Sequence, residues 1–180
     1  MRFSISSLLL TLSLCFALAS AASVSVCSSC TYKTISKALA ALPKGSTTYT
    51  VSIAPGTYKE KVTISRSNVI LKPSSGTVYI EYSAGHNTQS STGSDTDSAV
   101  LTITGSNVKL YNIVVANTYK QTRNIANLAL NLAGPKASFY NVKFYGFQDT
   151  LLINRGGSGY FKKCYVEGSV DFIWGYGTGK

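Results

Sequence analysis

An all-β solenoid, a parallel β-helix of stacked coils with a short helix capping its N-terminal end, is the fold class the sequence predicts, on three observations. From Thr48 onward the chain breaks into short β-rich pieces divided by turn residues, and no further long helical period appears. Ser67-Asn68-Val69-Ile70-Leu71 recurs as Ser106-Asn107-Val108-Lys109-Leu110. Residues 139–149 written above residues 161–171 hold a constant offset of 22, with Phe, Gly and Asp coinciding and Val166 matching Phe144 as an apolar partner. A period of this size without a helix suits one coil of a solenoid, whose neighbours stack through parallel strand hydrogen bonds about 4.8 Å apart.

In chain order, Met1-Arg2, an apolar run over residues 8–18 and Ala19-Ser20-Ala21 have the charge, core and small-residue order of a secretory signal peptide. The run is too short to span a bilayer. Residues 1–21 are therefore expected to be a signal peptide, with residues 22–180 forming one extracellular domain. Residues 34–42 read as the capping helix, with Ile35, Ala38, Leu39 and Leu42 on one stripe and Pro43-Lys44-Gly45 as its stop. Strands are expected at 49–53, 61–64, 69–71, 77–82 and 99–103. The polar stretch 83–98 between the last two reads as a solvated excursion.

Charge and rare residues narrow the chemistry. Lys and Arg number 17 against 7 Asp and Glu, a net charge of +10, which favours a polyanionic partner. For an exported protein an acidic polysaccharide fits better than nucleic acid. Cys27, Cys30 and Cys164 would remain after signal removal, an odd number that forbids complete internal pairing. The Cys27-Ser28-Ser29-Cys30 spacing reads as a local disulfide or two ordinary thiols, because no second pair and no histidine cluster completes a metal site. His86 is the only histidine and lies in a polar loop, which excludes Ser-His-Asp and Cys-His catalysis.

If the offset of 22 is one coil, Asp149 and Asp171 hold equivalent places on adjacent coils, with carboxyl groups on the order of 5 Å apart. Two carboxylates that close do not both ionise readily, so one holds a proton while the other stays charged. Around them cluster Tyr145, Phe147 and Gln148, then Phe172 and Trp174, the sole tryptophan. Aromatic faces pack on sugar rings, and a glutamine amide donates to a developing oxyanion.

These motifs resemble those of the pectinesterases, most closely their fungal members. Gly146-Phe147-Gln148-Asp149-Thr150-Leu151 is similar to the family's Gly-[Tyr/Phe]-Gln-Asp-Thr-Leu, and Asp171-Phe172-Ile173-Trp174-Gly175 to its Asp-Phe-Ile-Phe-Gly. Gly56-Thr57-Tyr58-Lys59-Glu60 is a weaker likeness to Gly-x-Tyr-x-Glu. The resemblance implies a right-handed β-helix that hydrolyses galacturonate methyl esters of pectin to pectate and methanol without cofactor or metal. It further implies a monomer with no nucleic-acid or membrane partner. Asp171 would be the nucleophile, Asp149 the general acid and then base, and Gln148 an oxyanion donor, with Trp174, Phe147, Phe172 and Tyr145 contacting substrate. Two departures stand out. Ala126 occupies the place of a second family glutamine, with Asn127 next to it, and Lys180 precedes the family's Leu-Gly-Arg-Pro-Trp stretch, so the chain is expected to be the N-terminal part of a longer protein. A competing reading is a secreted pectin-binding β-helix whose catalysis is impaired.

Overall fold

A computed structural model describes residues 22–89, 93–120 and 124–180; the expected signal peptide lies outside the described residues. After β1 (Ala22–Val26) and the helix α1 (Ile35–Ala40), the chain winds through five coils of three strands each. The first coil holds β2 (Tyr49–Ile53), β3 (Gly56–Lys59) and β4 (Val62–Ile64), and the second β5 (Val69–Pro73), β6 (Val78–Tyr82) and β7 (Leu101–Ile103). The third holds β8 (Val108–Tyr111), β9 (Ile113–Asn117) and β10 (Leu130–Leu132), and the fourth β11 (Ala137–Tyr140), β12 (Lys143–Tyr145) and β13 (Leu151–Ile153). β14 (Ser158–Lys162), β15 (Tyr165–Glu167) and β16 (Ile173–Gly175) form the fifth, and β17 (Thr178–Gly179) follows.

Equivalent strands pair in parallel into three sheets. The seven-stranded sheet runs β1-β2-β5-β8-β11-β14-β17, and two five-stranded sheets run β3-β6-β9-β12-β15 and β4-β7-β10-β13-β16. Between the fourth and fifth coils the register is 22 in all three sheets: Phe139 pairs with Phe161, Phe144 with Val166 and Leu151 with Ile173. The expected parallel β-helix is therefore the fold, and the repeat marks one coil.

Alternation along each strand sends one side chain in two to the interior. Val51, Leu71, Leu110 and Phe139, all fully buried, form one inward column that Phe161 continues. Phe139 stacks on Phe161 at 4.7 Å and meets Phe144 edge-on at 5.5 Å. Each buried side chain of this size contributes about 1.5–3 kcal/mol. Ile153, Phe161, Val166 and Ile173 line the interior at the fifth coil.

The corners are set by residues in the left-handed region. Asn68, Asn107 and Lys136 precede strands of the seven-stranded sheet, and Asn112, Asn141 and Lys163 follow them, all with φ between 54° and 59°. Asparagine tolerates this conformation better than other residues with a Cβ. Its amides also link coils, Asn107 Nδ2 donating to Asn68 Oδ1 at 2.7 Å and Asn141 Nδ2 to Asn112 Oδ1 at 3.0 Å. The recurrence of Ser-Asn-Val is this corner repeating.

α1 buries Ile35, Ala38 and Leu39, as its stripe predicts, and Thr34 caps it by accepting from Lys37 N. Glu60 completes the cap. Its two carboxylate oxygens accept from Ile35 N at 2.8 Å and Ser36 N at 2.9 Å, satisfying helix N–H groups that have no partner within the helix. The motif Gly56-Thr57-Tyr58-Lys59-Glu60 thus ties the first coil to the cap; Tyr58 Oη donates to Ala54 O at 2.9 Å for the same turn. Cys27 and Cys30 are joined in a disulfide and Cys164 is free. Glu60→Ala is expected to lower stability by about 1–2 kcal/mol, read as a shift in urea midpoint without a change in slope.

Candidate active site

Long insertions occur at a single corner, the one between the two five-stranded sheets. Residues 83–100 separate β6 from β7 in the second coil and 118–129 separate β9 from β10 in the third, whereas the fourth and fifth coils cross the same corner with the turns 146–150 and 168–172. The short turns carry Asp149 and Asp171, so the insertions wall the place where the two aspartates stand.

The two turns are built alike. Asp149 and Asp171 both take positive φ, 61° and 45°, a conformation that aspartate reaches through its short polar side chain. Gln148 pairs with Val170 in a parallel bridge, and Asp149 N donates to Val170 O at 3.0 Å. The aspartates therefore share one register on adjacent coils. Gly146 and Gly168 open the turns because no Cβ fits: one added at Gly146 would lie 2.7 Å from Thr150 Oγ1, and one at Gly168 2.5 Å from the same atom. Thr150, fully buried, fills that gap and donates its hydroxyl to Glu167 O at 3.0 Å.

Sharing a register does not make the carboxyls equal. Asp149 lies between the third and fifth coils and is 8% exposed, while Asp171, flanked by the fourth coil, is exposed. Burial raises the Asp149 pKa from 3.8 to about 6, the Asp95 and Asp171 charges add to the rise, and a hydrogen bond from the Gln148 side chain opposes it. One group holds its proton to near-neutral pH, and the other meets solvent.

Asn127 occupies the register position below Asp149, its N donating to Gln148 O at 3.0 Å. Its side-chain oxygen accepts from Phe147 N at 3.2 Å and Gln148 N at 2.8 Å, holding the turn from underneath. Asn127 Nδ2 and Gln148 Oε1 are both buried without a partner. In the sequence Asn127 stands 22 residues before Asp149, one coil earlier, a place from which its amide could stand in for the second family glutamine. The structure makes it the support of the Gln148 backbone, and Ala126 packs in a small apolar cluster with Ala99, Leu128 and Leu152.

Trp174 leans on that cluster, half-buried, with Nε1 donating to the Asp149 carbonyl at 3.3 Å. Phe147 and Phe172 are 44% and 41% exposed beside the aspartates. Tyr145 is half-buried, its ring 5.7 Å from that of Tyr165. All seven expected site residues fall on the fourth and fifth coils around this corner.

Asp95 and His86 were missed. The stretch read as solvated contains a one-turn helix α2 (His86–Gln89) and a 3-10 turn (Asp95–Ser98), and it is docked. Buried Asn117 bolts both ends: Oδ1 accepts from Ala84 N, and Nδ2 donates to Ala84 O, Ser98 O and Leu128 O. His86 N donates to Ala126 O at 2.8 Å, and His86 Nδ1 lies 2.9 Å from Asp95 Oδ1. The excursion thereby brings a third carboxylate within electrostatic reach of Asp149. Neither periodicity nor a short motif marks it, since it depends on Asn117 in another coil. Among the described residues no group of three His, Cys, Asp or Glu is arranged to hold a metal ion.

Comparison with known proteins bears on this geometry. The Pectinesterase family model matches residues 21–179. The chain is 37% identical over 157 residues to probable pectinesterase 49 of Arabidopsis thaliana, covering 82% of this chain and 41% of that protein. It is 34% identical over 163 residues to probable pectinesterase A of Aspergillus fumigatus, covering 87% and 49%. A solved pectin methylesterase in complex with a hexasaccharide is similar at a TM-score of 0.74 and 29% identity, over 88% of this chain and 52% of that one. The chain spans about half the length of the curated relatives it matches.

Two outcomes follow from the arrangement. Because folding raises the Asp149 pKa, its contribution to stability is complete below about pH 4 and is lost as pH rises through about 6; Asp149→Asn should flatten the change in urea midpoint across that window. Asp95→Asn should lower the Asp149 pKa, read from the pH titration of its carboxyl carbon resonance. An unmoved titration would mean that the Asp95 charge does not reach it.

Proposed function

The chain belongs to the pectinesterase family, and from that premise we propose that it supplies the paired-carboxylate centre that hydrolyses methyl esters of galacturonate in pectin, releasing pectate and methanol outside the cell. One observation carries the reading: two aspartates in the same register of adjacent coils, one of them buried with its pKa raised to about 6.

Exposed Asp171 attacks the ester carbonyl as nucleophile, and the carbonyl electron pair moves to oxygen. The Gln148 amide has two N–H groups, one for the Asp149 carboxylate and one for this oxyanion. As the tetrahedral centre collapses, Asp149 gives its proton to the departing methoxide, which leaves as methanol, and an anhydride links Asp171 to the sugar acid. Asp149, now charged, takes a proton from water as that water attacks the anhydride, freeing the galacturonate carboxylate and restoring both aspartates. Asn127 keeps Gln148 in place through its main-chain N–H. Phe147, Phe172, Trp174 and Tyr145 form the apolar walls against which sugar rings pack, and the basic surface attracts the polyanionic chain. Residues 22–180 form the domain that carries this centre, preceded by a secretory signal over residues 1–21, and the protein works as a monomer without cofactor. The hydrolase reading is preferred over a non-catalytic pectin-binding role because both halves of the acid–nucleophile pair are present.

Methanol release from methyl-esterified pectin is the direct measurement. Asp171→Ala should reduce it by at least about 10³-fold, and the wild-type rate should fall as pH rises past about 6, where Asp149 loses the proton it donates. A wild-type protein that binds pectin but releases no methanol would exclude the proposal. Asn127→Leu should lower kcat more than it raises KM, with Asn127→Asp recovering part of the loss because its oxygen still accepts from the Gln148 N–H.

A further inference from the structure

The outward face of the seven-stranded sheet carries chemistry that the Asp149 centre does not use. Alternation places Lys72, Tyr111, Tyr140 and Lys162 in one outward column, following Leu71, Leu110, Phe139 and Phe161 of the interior. Lys109, Ser138 and Tyr160 form a second column beside it. The first column spans about 14 Å over three coil steps at ~4.8 Å each.

None of the seven strands of this sheet contains Asp or Glu. Like charges gathered without an opposite sign repel one another, and an anion laid across them relieves the repulsion. The tyrosines fix what kind of anion suits the face. Tyr111 and Tyr140 stack at 4.8 Å with planes 8° apart, and Tyr160 follows at 6.0 Å, tilted by 58°. Stacking uses the ring faces between coils and leaves ring edges and phenol hydroxyls for a ligand, so the surface offers O–H donors flanked by ammonium groups. A polymer with a carboxylate and hydroxyls on each unit matches that combination. A flat base seeking an open aromatic face does not.

The face is also remote from the aspartates. Each coil runs from the seven-stranded sheet through the two five-stranded sheets in turn, and the aspartates stand at the corner between the latter two, opposite the seven-stranded sheet. We propose that this sheet face is a second docking surface, separate from the Asp149 centre, for de-esterified polyuronate. The proposal rests on the pectinesterase reading for the identity of the polymer. Holding a product-like stretch on one side raises the local concentration of the same chain's remaining esters on the other.

Binding of fully de-esterified polygalacturonate, measured by calorimetry at low and moderate salt, tests the surface without relying on activity. The triple variant Lys72→Gln/Lys109→Gln/Lys162→Gln should bind roughly tenfold more weakly and with less salt dependence. Lys33→Gln/Lys37→Gln/Lys44→Gln removes the same net charge around α1 and should stay within about twofold of wild type. Equal losses in the two triples, or none in the first, would overturn the proposal, as would a single-stranded oligonucleotide that displaces the polyuronate at lower concentration through the same three lysines. Asp149→Ala should abolish methanol release and leave this binding unchanged. If the wild-type protein released no methanol while the first triple still lost binding, the docking surface would stand and the hydrolase reading would fall.

Discussion

Parallel hydrogen bonding between successive coils is the constraint on which the rest of this structure depends. Once Phe139 pairs with Phe161, the backbone carries the same register round the coil, and each residue of the fourth coil meets the residue 22 positions later. Apolar residues then line up in interior columns, left-handed asparagines line up at corners, and Asp149 stands in line with Asp171. The fit between the third and fourth coils is less regular. Asn127 aligns with Asp149 at an offset of 22, but Leu130 pairs with Leu151 at 21, and the slip is absorbed where Ala129 N and Leu130 N both donate to Thr150 O. A local bulge here keeps Asn127 under the Gln148 turn while restoring the ladder beyond it.

Insertions leave the second and third coils at the corner where the aspartates stand. Asn117 secures the first insertion with hydrogen bonds to both of its ends, and it is buried itself. With that overhang on one side and the fifth coil on the other, Asp149 loses solvent, and its charged form is disfavoured.

The same register rule links the aspartate corner to the opposite sheet. Tyr111, Tyr140 and the flanking Lys72 and Lys162 are outward for the reason that Leu110 and Phe139 are inward, so a basic, tyrosine-lined face accompanies the core as its other side. Glu60 shows a related economy at the N-terminal end, where a residue in the first coil satisfies the helix that covers it. In each case, sequence neighbours serve different surfaces, and residues a coil apart serve the same one.

Much of this was legible in the chain. The offset of 22, the Ser-Asn-Val recurrence and the stripe on residues 34–42 each report periodic burial, which backbone geometry converts into coils, corners and a cap with little dependence on the remainder of the molecule. The motifs around Gln148-Asp149-Thr150 and Asp171-Phe172 marked the site because tight turns need glycine and short acidic residues at set positions. What the linear order left undetermined was which aspartate is buried, why Asn127 matters, and that Asp95 and His86 approach Asp149 from the second coil. Those features follow from the docking of an aperiodic polar insertion, fixed by Asn117 from another coil. Only the folded arrangement decides them, because desolvation and charge proximity depend on separation in space and leave no period in the sequence.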